Sequence, residues 1–165
     1  FNKIDFFKTP EPLIQKEFSR IMSLKDGSKK MSKSEASDLS RINLTDDKDL
    51  IVNKIKKAKT DTLPLPSSTN ELNKRLEAKN LLGIYSSLSD LPLEKTIEEF
   101  SGKNFSEFKN TLSELLVNKL DPVSKEINRL LKEKNYLDEI LFDGYKKANE
   151  IAADKLRKIH EIVGF

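Results

Sequence analysis

The sequence predicts a mostly α-helical chain, a short remnant of an α/β domain followed by a helical bundle. Apolar residues recur at helical spacing through most of the chain after Thr45, and no alternating strand pattern appears there. Before Thr45 the pattern is irregular and polar, broken only by the apolar run Ile21, Met22 and Leu24, which is short enough for one buried strand. The natural division is residues 1–44 and residues 45–165.

Taken in order, Phe1 to Phe7 reads as the end of a helix, and Thr9-Pro10-Glu11-Pro12 forces extended or turn backbone. Leu13, Ile14 and Phe18 are irregularly spaced and suit a covering segment. Asp26-Gly27 marks a turn. Thr45 or Asp46 offers an N-cap oxygen, Asp47 and Asp49 complement the helix dipole, and Ile51, Ile55 and Ala58 define one buried face. Leu63-Pro64-Leu65-Pro66-Ser67-Ser68 is a linker. A second helix is expected over Asn73 to Leu88, with Leu81, Tyr85 and Leu88 on one face. A third opens at Pro92 and ends at Ser101-Gly102. Phe105, Phe108, Leu112, Leu115, Leu116, Leu120, Val123, Ile127 and Leu130 continue one stripe through Pro122, which predicts a single kinked helix. Tyr136 to Val163 reads as a long amphipathic helix packing back on the others.

With 165 residues, 36% apolar and 35% charged, the chain can bury a core beneath heavily solvated faces. The net charge of +3 neither demands nor excludes nucleic acid, so charge placement carries more information than its sum. Absence of cysteine excludes disulfides, thiolate metal sites and cysteine nucleophiles. No apolar run is long enough to cross a bilayer. His160, the sole histidine, has no second histidine or cysteine nearby in sequence and reads as a structural or surface residue. Asp46-Asp47 and Glu98-Glu99 read as helix-end charge.

The chemistry concentrates in Gly27-Ser28-Lys29-Lys30-Met31-Ser32-Lys33-Ser34. Lysines act as movable point charges, serine hydroxyls bond phosphate oxygens, and glycine is expected to lend backbone freedom. Such a loop can close over a polyphosphate. Lys30-Met31-Ser32-Lys33-Ser34 is letter for letter the second signature of class I aminoacyl-tRNA synthetases, the KMSKS loop. Arg20-Ile21-Met22-Ser23-Leu24, Arg41-Ile42-Asn43-Leu44-Thr45-Asp46-Asp47, Lys54-Ile55-Lys56-Lys57-Ala58-Lys59-Thr60-Asp61 and Asn80-Leu81-Leu82-Gly83-Ile84-Tyr85-Ser86 resemble the tryptophanyl-tRNA synthetase family over most of the chain.

That resemblance implies the end of a Rossmann-type catalytic domain carrying the KMSKS loop, then a helical anticodon-binding domain. It implies ATP with Mg2+ held mostly by phosphate oxygens, tryptophan, tRNA(Trp), a homodimer and a cytoplasmic setting, with no membrane partner. Lys30 and Lys33 would meet the polyphosphate, Lys33 at the transition state. Ser32 and Ser34 would donate to phosphate or hold the closed loop, Met31 would lie against the adenine, and the Ile21 backbone would touch the nucleotide. A chain that begins at Phe1 would then be the carboxy-terminal part of a longer enzyme, inactive alone, with the first signature and the tryptophan pocket upstream. Glu35 stands where aspartate is common, and Asp26-Gly27-Ser28 where proline is frequent. These departures bear on reach and loop stiffness.

Two rival readings remain: a stand-alone helical RNA-binding module with a vestigial loop, and the tyrosyl relative, whose flanks fit less well. The cluster Lys54, Lys56, Lys57 and Lys59 reads first as a solvated helix end, with RNA contact as the alternative. Phe105 and Phe108 are expected in the core rather than stacked on bases.

Overall fold

A computed structural model describes residues 6–14 and 19–164. The described residues form six α-helices, α1 (Lys48–Lys56), α2 (Thr69–Leu72), α3 (Leu76–Ser89), α4 (Leu93–Phe100), α5 (Phe105–Leu130) and α6 (Lys134–Val163), with a 3-10 turn at Asp38–Ser40. The expected end of a helix over Phe1 to Phe7 lies largely outside them, as does Phe18 of the covering segment. Among the described residues no helix is long and apolar enough to cross a membrane.

Four of the six helices, α1, α2, α4 and α5, begin where the sequence supplies an acceptor or a fixed φ. The cap of α1 is Asp47, whose Oδ1 accepts from the Leu50 amide at 2.8 Å. Neither Thr45 nor Asp46 serves, because the Asp46 carboxylate is committed to Lys54 and to the Asn43 amide. Ser68 caps α2, Asn104 caps α5, and Pro92 precedes α4, as its fixed φ suits. Gly102 takes φ +72° just after α4. The second helix starts at Leu76, later than the pattern implied. Arg75 before it is held by Asp61, by the Pro64 and Leu63 carbonyls and by the Phe105 ring. The stripe through Pro122 is one continuous helix.

The core is formed where α1 and α3 pack on α5 and α4 closes over α3. Ile51 and Ile55 of α1, Leu81, Leu82 and Tyr85 of α3, Ile97 and Phe100 of α4, and Phe105, Phe108, Leu112 and Leu116 of α5 are buried together. Tyr85, Phe100 and Phe108 meet edge to face, with Phe100 4.8 Å from each of the other two rings. Lys109 crosses from α5 to the end of α1 and donates to the carbonyls of Ala58 (2.6 Å) and Lys56 (3.2 Å). It supplies the cation that a helix C-terminus favours, although burial pushes its ammonium below the ordinary value.

Two expectations fail. Ile21–Leu24 forms no strand, and its pairing is a single antiparallel bridge between Met22 and Lys30. The α6 helix does not pack back on the bundle: none of its residues is buried, and Leu141, Phe142, Tyr145, Ile151 and Leu156 stay exposed. Its apolar spacing is real, but no described element lies along it closely enough to bury that face.

Several carboxylates are held below their ordinary values. Lys54 and Asn43 lower Asp38, Lys59 lowers Glu77, and Lys125 lowers Asp121. For Asp61, partial burial pushes upward but Arg75 and the Leu63 amide outweigh it. A carboxylate depressed in the folded state stabilises the fold above its unfolded value and loses that contribution as pH falls through the folded one. A melting-temperature series is therefore expected to be flat above about pH 5 and to fall steadily below it.

Candidate functional site: a cationic cavity at the signature loop

Among the described residues the backbone of 21–24 has no neighbouring strand to pair with, and its polar groups are matched by several different elements. The Met31 amide donates to the Ile21 carbonyl (3.0 Å) and the Ser23 amide to the Lys29 carbonyl (2.8 Å). On the other edge the Asn80 side chain, from α3, accepts from the Met22 amide (2.9 Å) and donates to the Met22 carbonyl (2.8 Å). That one amide does what a strand residue would do. Leu24 donates to the Ser40 carbonyl and accepts from the Lys59 amide. The entry of the loop is thereby fastened to α3 and to the residues after α1.

Its turn is equally specified. Asp26 Oδ1 accepts from the Ser28 amide and hydroxyl at 3.0 and 2.6 Å. Gly27 is buried, and a Cβ there would lie 2.8 Å from the backbone of Leu76 and Glu77 at the start of α3. Positive φ is confined, among the described residues, to Asp90, Gly102 and Gly164. Gly27 is thus required for close approach and not, as the sequence suggested, for a special backbone conformation.

Beyond the turn the loop projects. Lys30 and Lys33 are exposed, and among the described residues neither ammonium has an ion-pair partner. The Ser32 and Ser34 hydroxyls bond each other at 2.9 Å, and the Ser34 amide donates to Ser32 Oγ at 3.3 Å. The exit is clamped by Arg41, which donates to the Glu35 carbonyl at 2.9 Å and pairs with Asp38 at 3.0 Å.

Between loop and exit lies a cavity of about 620 Å³. It gathers Ile21, Lys30, Met31, Ser32 and Lys33, five of the six residues singled out from the sequence. Ser34 is not part of its lining and faces Ser32 instead. Ile21, Met31 and Ile42 are partly buried against the core and give it an apolar side. Arg20, Lys30, Lys33 and Arg41 bring four cations, and among the described residues its lining includes no carboxylate. This arrangement suits a flat apolar ring joined to a polyanion. Arg20, Arg41 and Asn43 line it too and were not singled out: Arg20 adjoins Ile21 in sequence, whereas Arg41 and Asn43 come beside the signature only in the fold.

The basic cluster on α1 divides. Lys54 is fully buried between Asp46 (2.6 Å) and Asp38 (2.7 Å), and Lys59 pairs with Glu77 at 2.8 Å. Lys56, Lys57 and Lys59 keep the solvated character expected of all four, and Lys54 alone departs from it. His160 is exposed, and no metal-ligand cluster occurs among the described residues.

Two substitutions probe the anchoring. Replacing Asn80 by Leu strands the Met22 amide and carbonyl and is expected to cost about 1–3 kcal/mol in denaturant unfolding. Gly27→Ala forces Cβ against backbone that has no room to give, and a loss of about 1–3 kcal/mol is expected in the same measurement.

The family model described as tRNA synthetases class I (W and Y) matches residues 1–121. The chain is 51% identical over 160 residues to the tryptophan–tRNA ligase of Agrobacterium fabrum, covering 97% of the chain and 45% of that protein. Among solved structures it resembles tryptophanyl-tRNA synthetase from Mycoplasma pneumoniae (TM-score 0.74, 27% identity, 92% of this chain and 45% of that one). It also resembles the Campylobacter jejuni enzyme complexed with ADP and tryptophan (TM-score 0.68, 25% identity, 98% and 48%). The chain spans about half the length of the curated relatives it matches. With most of its length inside the family model, the chain belongs to the class I tRNA synthetases of the tryptophan and tyrosine type.

Proposed function

We propose that this chain supplies the phosphate-stabilising loop and the tRNA-binding helical part of a tryptophan–tRNA ligase. The observation that carries the reading is the cavity beside the signature, with four cations, an apolar side and, among the described residues, no carboxylate in its lining. Residues up to 44 contribute to the ATP site, and residues from 45 onward meet the anticodon region of tRNA(Trp). The remaining half of a relative-sized enzyme provides the tryptophan pocket, and the whole works as a homodimer. Tryptophan is favoured over tyrosine by the names of the relatives, not by a residue in this chain.

In the proposed reaction a carboxylate oxygen of tryptophan attacks the α-phosphorus of ATP. The bond from that phosphorus to the bridging oxygen breaks, and pyrophosphate leaves with the bonding pair. Transfer of the tryptophanyl group to the terminal ribose of tRNA follows, releasing AMP. Negative charge builds on the departing pyrophosphate, so a cation that meets it late lowers the barrier more than one that holds ATP equally throughout. Lys30 and Lys33 have the exposure to move onto such a group, with Ser32 and Ser34 donating hydroxyls as the loop closes. Met31 and Ile21 offer apolar contact to the adenine. Mg2+ would enter with ATP as the MgATP substrate, held mostly by phosphate oxygens.

ATP–pyrophosphate exchange tests the reading in the full-length synthetase that carries this chain. Lys33→Ala is expected to lower kcat by about 100-fold or more with little change in KM for tryptophan. Lys30→Ala is expected to show a smaller loss. The 165-residue chain alone is expected to give no exchange. Robust turnover by that chain, or an unimpaired Lys33→Ala enzyme, would refute the assignment. Salt-dependent tRNA binding indifferent to ATP, without exchange even at full length, would favour an RNA-binding module instead.

A further inference from the structure

We propose that Lys54, Asp46 and Asp38 form a buried positioning device that fixes the exit of the signature loop to α1 and α5. The inference deepens the reading above and rests on it for its catalytic consequence. Lys54 has 0% side-chain exposure, whereas Lys56 and Lys57, just beyond it, are exposed. An ammonium removed from water must be neutralised and hydrogen-bonded where it sits. Asp46, 4% exposed and 2.6 Å away, is sufficient for neutrality. Asp38 is therefore surplus to the charge requirement, yet it also contacts Lys54 at 2.7 Å while remaining 51% exposed. Its excess charge is balanced from the loop side by Arg41, 3.0 Å away.

Geometry gives the second carboxylate its purpose. Asp38 opens the 3-10 turn only four residues after Ser34, so whatever holds Asp38 limits where Lys33 can reach. Asn43 ties the two carboxylates together, its Nδ2 donating to Asp38 Oδ1 at 3.0 Å and to Asp46 Oδ1 at 3.2 Å. On the far side Ser124 of α5 donates to the Asp46 carbonyl at 3.0 Å. The chain of contacts runs from the loop exit through a buried cation to the longest helix of the core. Lys54 touches neither loop lysine, so it is a positioning residue.

Asp38→Asn discriminates, because the side chain is half exposed and Asp46 still neutralises Lys54. In the full-length synthetase, its melting temperature is expected within about 3 °C of the parent. Amide hydrogen exchange over residues 32–38 is expected to rise about tenfold or more. In pyrophosphate exchange kcat is expected to fall about 10–100-fold with KM for tryptophan unchanged. Lys54→Met strands Asp46 in the core and is the structural control, with a clear drop in melting temperature. Unaltered exchange over residues 32–38 together with parental kcat in Asp38→Asn would overturn the proposal. So would a loss of activity that merely tracks melting temperature with the loop still protected. Lys33→Ala assayed in parallel separates the two readings. If it leaves pyrophosphate exchange intact, the proposed function fails, and loop protection in Asp38→Asn alone decides the positioning role.

Discussion

A lysine ammonium with no access to water constrains everything packed around it. Lys54 lies on the same face of α1 as Ile51 and Ile55, so docking α1 on α5 buries a charge together with the apolar contact. The fold meets that cost by drawing Asp46 inward, which in turn moves the helix cap to Asp47 and leaves the Asp46 carbonyl for Ser124. At its other end α1 receives a second lysine, Lys109, on its terminal carbonyls. A nine-residue helix is too short to persist on its own. Here it is fixed by two buried cations and two isoleucines, one cation from its own sequence and one from its neighbour.

The same economy explains how a loop with no sheet beneath it keeps a defined shape. Backbone amides and carbonyls removed from water require partners. Residues 21–24 find them in Lys29 and Met31 of the returning loop, in one asparagine on α3, in Ser40 and in Lys59. Because these partners lie on different elements, the entry of the loop cannot shift without breaking contacts to several of them together. Gly27 against the start of α3 adds a steric limit to the polar ones. Entry and exit are both held, joined to each other where Leu24 donates to Ser40 of the Asp38–Ser40 turn, and the freedom of the segment is confined to the few residues between them.

Legibility in the sequence followed how local the cause was. Helices α4 and α5 and the buried face of α1 were readable, because proline, glycine, cap residues and apolar spacing act within a turn or two. The stripe through Pro122 was read correctly because its phase did not shift. Lys54 was misread with its neighbours because a lysine at a helix end is usually solvated, and its partners lie 8 and 16 positions upstream. Asn80 gave no signal at all, since its partner is 58 residues distant. The strand expected at Ile21–Leu24 failed for the complementary reason: Leu24 is buried and Ile21 and Met22 partly so, but nothing in the described residues extends the pairing beyond one bridge. For α6 the amphipathic pattern predicted a partner face, and the pattern alone could not say which element supplies it. At the site, the signature and Ile21 were singled out from letters, whereas Arg41 and Asn43 join them only through the folded chain.

Held ends and a free tip are what late electrostatic stabilisation asks of a loop. Lys30 and Lys33 stand in water, where an ion pair with a phosphate about 4 Å away is worth only about 1 kcal/mol. The same pair gains several-fold when closure removes water, so the interaction strengthens with the motion itself. A loop free at both ends would lose much of that gain to the entropy of ordering it, since each residue fixed costs about 1–2 kcal/mol. Anchoring at Met22 and at Asp38 settles most of that cost during folding, leaving only a short segment between them to be ordered. Under the proposed function, the ion network at Lys54 would act through motion: it would shorten the part of the chain that moves, and so set how much of the lysines' attraction reaches the phosphates.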